Sequence, residues 1–198
     1  MKHAVIGAMA VVLVAALGSL ALAQDSAEKN ETAETETANT VKLEQPILIS
    51  SAGQSADAKL VGMLAKRLKL NATTEPMANA GNLDGIKTLV IVPGFSSKGL
   101  GAAGIKPEEE EARVSALIAA AQEKGIPIVV VHVGGTARRG PQSDGFNRQA
   151  SEAACQMIVV KQGDEDGFFD TIGKDKSIPL VLVDKIAQAA EPLGQLFN

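Results

Sequence analysis

The chain has 198 residues, 45% of them hydrophobic, a formal charge of −4, one cysteine and no Trp or Tyr. Cys155 alone excludes an intramolecular disulfide, and one cysteine with two histidines supplies too few ligands for a structural zinc site. The lack of Trp and Tyr argues against stacking platforms for bases or sugars, and the acidic balance is the opposite of a nucleic-acid binder's basic footprint.

Residues 1–23 have the pattern of a cleavable secretory signal. Lys2 and His3 precede an apolar run over 4–17, and Ala21-Leu22-Ala23 forms a small-residue cleavage site before Gln24. No cysteine follows that site, so lipid attachment is not expected. No later apolar run approaches the roughly 20 residues that span a bilayer, so no stable transmembrane anchor is expected in the mature protein. Residues 24–45 carry two lysines against six acidic residues and few large apolar side chains. Such a stretch cannot bury enough surface to offset its chain entropy, and it reads as a disordered acidic linker. Setting that segment and Lys2 aside leaves residues 46–198 with a net charge of −1. They form one nearly neutral domain, large enough for a real core. The expected location is periplasmic or extracellular.

Within the domain, residues 46–50 are a short apolar run, a first buried strand. A polar loop follows, with Ser55 at the N-cap of a helix to about Leu70 whose inward stripe is Leu60, Leu64 and Leu68. Residues 73–77 are a weak strand, and Pro76 suits an edge. Residues 87–93 hold Leu89-Val90-Ile91-Val92, a strand buried on both faces, which runs into a glycine-rich loop over 94–104. Pro107 and the glutamates at 108–111 open a helix with Val114, Leu117, Ile118 and Ala121 inward and Gly125 at its end. Residues 126–133 are a β-branched strand leading into a polar loop over 134–144. A helix over 145–154, a strand over 156–161, a short helix over 168–172, a strand over 178–184 and a last helix over 185–196 complete the chain. Continuous apolar strands alternating with helices predict a three-layer, doubly wound, mostly parallel sheet. The order is flavodoxin-like or Rossmann-like, 2-1-3-4-5, with a sixth strand added.

Ligands of such sheets bind beyond the carboxyl ends of the strands where the order reverses, here between strands one and three. The polar, glycine-rich loops gather at that edge, whereas the opposite connections are short and plain. Candidate ligand contacts are Ser51, Gly53, Gln54, Ser55 and Asp57 from the first loop and Ser96, Ser97, Lys98 and Gly99 from the second. Gly134, Gly135, Arg138, Arg139, Ser143 and Asp144 from the third, with His132 at a strand end, complete the set. Lys98, Arg138 and Arg139 with free N–H groups near Gly53 suit a carboxylate or phosphate, the first helix offering the anion seat. The glutamates at 108–111 complement their own helix N-terminus, which leaves no anion seat there. The P-loop spacing and Gly-x-Gly-x-x-Gly are absent. His132 is a weak candidate general base, with Ser55, Ser96 or Ser97 as nucleophile and Asp144 orienting it. Cys155 reads as a buried small hydrophobe. Asp164, Glu165 and Asp166 read as an exposed acidic turn rather than a metal site. Phe95, Phe146 and Phe168 fall on the same edge, as pocket lining or as plugs for the core.

Several phrases resemble an exported bacterial family catalogued as a domain of unknown function, DUF6305. They are residues 45–57 (Gln-Pro-Ile-Leu-Ile-Ser-Ser-Ala-Gly-Gln-Ser-Ala-Asp), 96–104, 132–140 and Ser143-Asp144. The resemblance spans about residues 45–197 and implies no activity and no cofactor. Some relatives carry a lipobox cysteine that this chain lacks. Isochorismatase-like hydrolases share the layer plan, but their nucleophilic cysteine follows the fourth strand, and Cys155 comes too late. The leading expectation is a non-enzymatic binder of a small polar, anionic ligand. A hydrolase-like enzyme using His132 with a serine and an envelope protein-interaction module are the alternatives.

Overall fold

The computed structural model describes residues 42–197. The expected signal and nearly all of the expected linker lie outside the described residues. Residues 42–45, assigned to the linker by composition, lie against the domain. Leu43 N–H donates to the Leu196 carbonyl at 2.7 Å, and the Glu44 carbonyl accepts from the Thr88 hydroxyl at 2.7 Å. The ordered unit therefore begins before Pro46.

Six strands form one parallel sheet in the order β2-β1-β3-β4-β5-β6. They are β1 (Ile47–Ala52), β2 (Ala72–Thr74), β3 (Thr88–Pro93), β4 (Ile128–His132), β5 (Gln156–Val160) and β6 (Leu180–Val183). The helices are α1 (Asp57–Arg67), α2 (Ser97–Ala103), α3 (Pro107–Glu123), α4 (Asp144–Glu152), α5 (Phe168–Lys176) and α6 (Ala190–Gln195). This is the order expected from the sequence, with the sixth strand in place. The short β2 stands at the edge, where Pro76 just beyond it disturbs no ladder.

Because strand side chains alternate between faces, the apolar runs feed two cores. Leu48, Leu89, Ile91, Val130 and Val159 meet Val114, Leu117 and Ile118 of α3, with Phe146 and Phe169 from α4 and α5. Ile47, Ile49, Val90, Val92, Val129 and Val131 meet Ala58, Val61, Leu64 and Ala65 of α1, together with Leu193 of α6. The inward face of α1 differs from the expected leucine stripe. Ala58 and Ala65 are fully buried, and Leu60 and Leu68 are half-buried. Small residues beneath the helix bring it close to the sheet, and the leucines cover the flank of the contact.

The glycine-rich stretch after β3 is not a loop. Ser96 caps α2, its hydroxyl accepting from Gly99 N–H at 3.0 Å, so most of the segment is helical. The capping bond and the packing of α2 onto the first loop override the poor helix propensity of Gly99 and Gly101. Among the described residues, no helix is long and apolar enough to cross a membrane.

Candidate functional site

The strand reversal lies between β1 and β3, but the seam there is closed by the protein itself. Gly94 N–H donates to the Ala52 carbonyl and Ser96 N–H to the Gly53 carbonyl, both at 2.8 Å, and Gln54 forms an antiparallel bridge with Phe95. The expected anion seat is also taken. Gly53 N–H donates to Glu110 Oε1 at 2.8 Å, and Gln54 Nε2 donates to the same oxygen at 3.0 Å. Ser55 does not cap α1; Ala56 holds the N-cap position without a side-chain bond, and the Ser55 hydroxyl accepts from Asp57 N–H at 3.3 Å. The fully buried carboxylate of Glu110, from α3, is the anion that satisfies this loop.

Its counter-ion is Arg113, one turn along α3. Arg113 Nε donates to Glu110 Oε2 and Nη2 to Oε1, both at 2.8 Å. The guanidinium also donates to the Ser51 and Ala78 carbonyls, at 2.6 and 2.5 Å. Neither residue was among the sequence candidates. The signal was nonetheless there: position 110 lies four residues before Val114, on the inward stripe of α3. Glu108 and Glu109 stand in the first turn of α3 as the sequence led us to expect, the Glu109 carboxylate accepting from Lys106 N–H at 2.7 Å.

An open cleft lies one strand further on, between the β3–α2 junction and the β4–α4 connection. Its volume is about 370 Å³, and Ser96, Ser97, Lys98, Arg138, Arg139 and Ser143 line it, together with Phe95, Pro141 and Gln142. Those six are the sequence candidates that meet on one surface. Ser51, Gly53, Gln54, Ser55, Asp57, Gly99, His132, Gly134, Gly135 and Asp144 lie outside its lining. Two bonds clasp the Phe95 backbone between the loops: its N–H donates to Ser143 Oγ and its carbonyl accepts from Arg138 Nη1, each at 3.1 Å.

The lining holds three cations and no carboxylate, but the cations are not equivalent. Arg138 Nε pairs with Asp57 Oδ2 at 3.2 Å, while Nη2 has no partner among the described residues. Gly134 makes that pairing possible, since a Cβ there would lie 2.0 Å from Arg138 Cγ and 2.7 Å from Asp57 Oδ2. Arg139 is spent. It pairs with Asp144 and Asp166 at 2.8 Å each, donates to the Gly163 carbonyl, and lies 4.3 Å over the Phe168 ring. The hydrogen bond from Arg139 holds the Asp166 carboxyl at about 2, and that from Asp166 raises the guanidinium further. Burial opposes ionisation of Asp144, but hydrogen bonds from Arg139 and Asn147 outweigh it and leave its pKa below the ordinary carboxylate value. Lys98 is exposed and has no ion pair or hydrogen bond among the described residues.

The hydrolase arrangement is not assembled. His132 is fully buried, and its Nε2 lies 3.2 Å from the Arg138 carbonyl. A carbonyl only accepts, so Nε2 carries the proton. Nδ1 has no partner, so neither a serine nor Asp144 bonds to the ring. The imidazole rests on Phe169 with ring centroids 4.8 Å apart. It is a wall residue at the end of β4.

Burial is the chief reason that the His132 pKa falls below 6.5; Arg139 adds to the effect, and the Arg138 carbonyl and Asp57 oppose it. Below pH 6.5 the unfolded chain takes up a proton that the folded chain refuses. The contribution to stability is therefore complete above pH 6.5 and is lost as the pH falls toward the folded-state pKa, by up to about 1.4 kcal/mol per pH unit. A His132→Phe variant should lose that slope in urea titrations between pH 7 and 5. The Arg138 carbonyl would still accept from Asn147 Nδ2, at 2.9 Å. Parallel wild-type and variant curves would refute the assignment.

The remaining candidates have structural tasks. Asp164 accepts from Phe169 N–H at 2.6 Å at the start of α5, and Asp166 belongs to Arg139, so both carboxylates meet the protein's own donors. Cys155 is half-buried, and burial raises its thiol pKa. Phe95 and Phe146 stack at 6.5 Å beside the cleft.

The model of a family described as "Domain of unknown function (DUF6305)" matches residues 44–197. No curated protein matches significantly. Among solved structures the chain is similar to a serine-to-alanine mutant of the esterase AlinE4 at 15% identity and a TM-score of 0.29, over 77% of this chain and 81% of that one. The structure titled "AlinE4, a SGNH-hydrolase family esterase" follows at 14% and 0.27, with the same coverage. Likeness this weak carries no argument about chemistry.

Proposed function

Because the chain belongs to the DUF6305 family, whose description names no activity, its role must be argued from its own residues, and we propose that it is an exported binder of a small polar anion. One observation carries the reading: Lys98 is unpaired among the described residues, beside a free Arg138 Nη2, in a cleft whose lining holds no carboxylate. Ser96, Ser97 and Ser143 add hydroxyls that can orient a carboxylate or phosphate. Export rests on the signal pattern of residues 1–23, and N-terminal sequencing of the mature protein checks it by a start near Gln24. The hydrolase reading loses support because His132 touches neither a serine nor an aspartate.

NMR titration with acetate and with phosphate tests the reading. Lys98→Ala should weaken binding about tenfold, which is about 1.4 kcal/mol, and Lys98→Arg should keep most of the affinity. High salt should weaken wild-type binding as well, since the lysine is exposed. If neither anion shifts any resonance of Phe95 through Lys98, the proposal fails.

A further inference from the structure

The polar cleft does not end at Phe95. Phe95, Pro141 and Gln142 also line a second hollow of about 250 Å³, bounded on its far side by Pro107, Gly145 and Phe146. The two hollows therefore adjoin across three shared residues. One presents Lys98 and Arg138, and the other presents the stacked rings of Phe95 and Phe146 with two prolines. A cavity of about 150 Å³ suffices for a benzene ring, so the second hollow has room for a phenyl group or a short alkyl chain.

Resting on the anion reading above, we infer that the ligand is an organic monoanion with an apolar body, of the aryl- or alkyl-carboxylate class. Its carboxylate meets Lys98 and Arg138 while its body lies against Phe95 and Phe146. Phosphate or acetate fills only the polar half and leaves the aromatic wall in water. A second anionic group at the far end is disfavoured, because the carboxylate of Glu111 stands at that wall. Specificity thus comes from pairing one cationic hollow with one apolar hollow, each bearing on a different end of the ligand.

The test is NMR titration of the purified protein with acetate, hexanoate, phenylacetate and adipate. Hexanoate and phenylacetate should bind about tenfold or more tighter than acetate, from the apolar area they bury. Adipate, as long as hexanoate but charged at both ends, should show no such gain. Gly145→Leu is the discriminating variant. Gly145 is the second residue of α4, and a Cβ there meets nothing within 4 Å, so the new side chain can enter the apolar hollow without strain. It should abolish the gain of phenylacetate over acetate and leave acetate affinity within about twofold of wild type. Independently of any variant, phenylacetate should shift the ring resonances of Phe95 and Phe146, and acetate should not. Equal affinity for acetate and phenylacetate would overturn the inference while leaving the anion reading intact. So would an adipate gain that matches hexanoate, or a phenylacetate gain that survives in Gly145→Leu. Absence of binding by all four carboxylates would overturn the inference, and absence of phosphate binding besides would overturn both.

Discussion

Arg113→Ala should cost about 3–5 kcal/mol in denaturant unfolding, the penalty for leaving one half of a buried ion pair alone. Glu110 has no exposed side-chain surface and Arg113 only 11%. Removing the guanidinium strands a carboxylate in the interior, and it also takes the donors from the Ser51 and Ala78 carbonyls. Glu110→Gln should cost less. Its amide oxygen can still accept from Gly53 N–H, and Arg113 keeps its two carbonyl partners. Replacing both residues with apolar ones should not rescue stability, because Gly53 N–H and the Ala78 carbonyl would be left without partners. Midpoints should fall with little change in m, since the same surface unfolds. A loss below about 1 kcal/mol for Arg113→Ala would show that the pair is merely tolerated.

The functional consequence of this pair is a displacement of the site. In an open parallel sheet the crevice at the strand reversal is the ligand's place. Here a carboxylate carried by α3 fills it, and the Gln54–Phe95 bridge ties its rim shut. The cleft opens instead between the ends of β3 and β4, where Arg138 reaches back to Asp57 and leaves one nitrogen free.

The strand order was legible because each strand is an apolar run bounded by Gly, Pro or polar residues, and because apolar runs alternate with amphipathic segments. Lys98, Arg138 and Ser143 were legible as a group, since the topology alone brings their loops to one edge. Glu110 was grouped with its three glutamate neighbours as a complement to the helix N-terminus, although its phase on α3 is that of Val114 and Ile118. The pairing of Arg139 with Asp166 joins the β4–α4 connection to the turn before α5, a contact that no local pattern encodes. The helical state of residues 97–103 was hidden for a different reason. Glycine at 99 reads as a breaker, yet it is there because α2 packs directly onto the Gln54 backbone.

Gly99→Ala should accordingly destabilise the protein by about 3 kcal/mol, although alanine is the better helix former. A Cβ at position 99 would stand 1.8 Å from the Gln54 carbonyl oxygen and 2.9 Å from its carbon. The Gln54 backbone cannot yield cheaply. It sits at φ 58°, its side chain is held by Glu110 and the Pro76 carbonyl, and its backbone bridges Phe95. The remaining relief is for α2 to lift away from the first loop, carrying Ser96, Ser97 and Lys98 with it. Anion affinity should then fall even in the fraction of molecules that stays folded, so unfolding and binding report the same strain. Gly101→Ala is the matched control on the same helix. A Cβ at that position meets nothing within 4 Å, so alanine should stabilise by up to about 1 kcal/mol and leave binding unchanged. If the two variants unfold at the same denaturant concentration, the seating of α2 on Gln54 does not hold the cleft in shape.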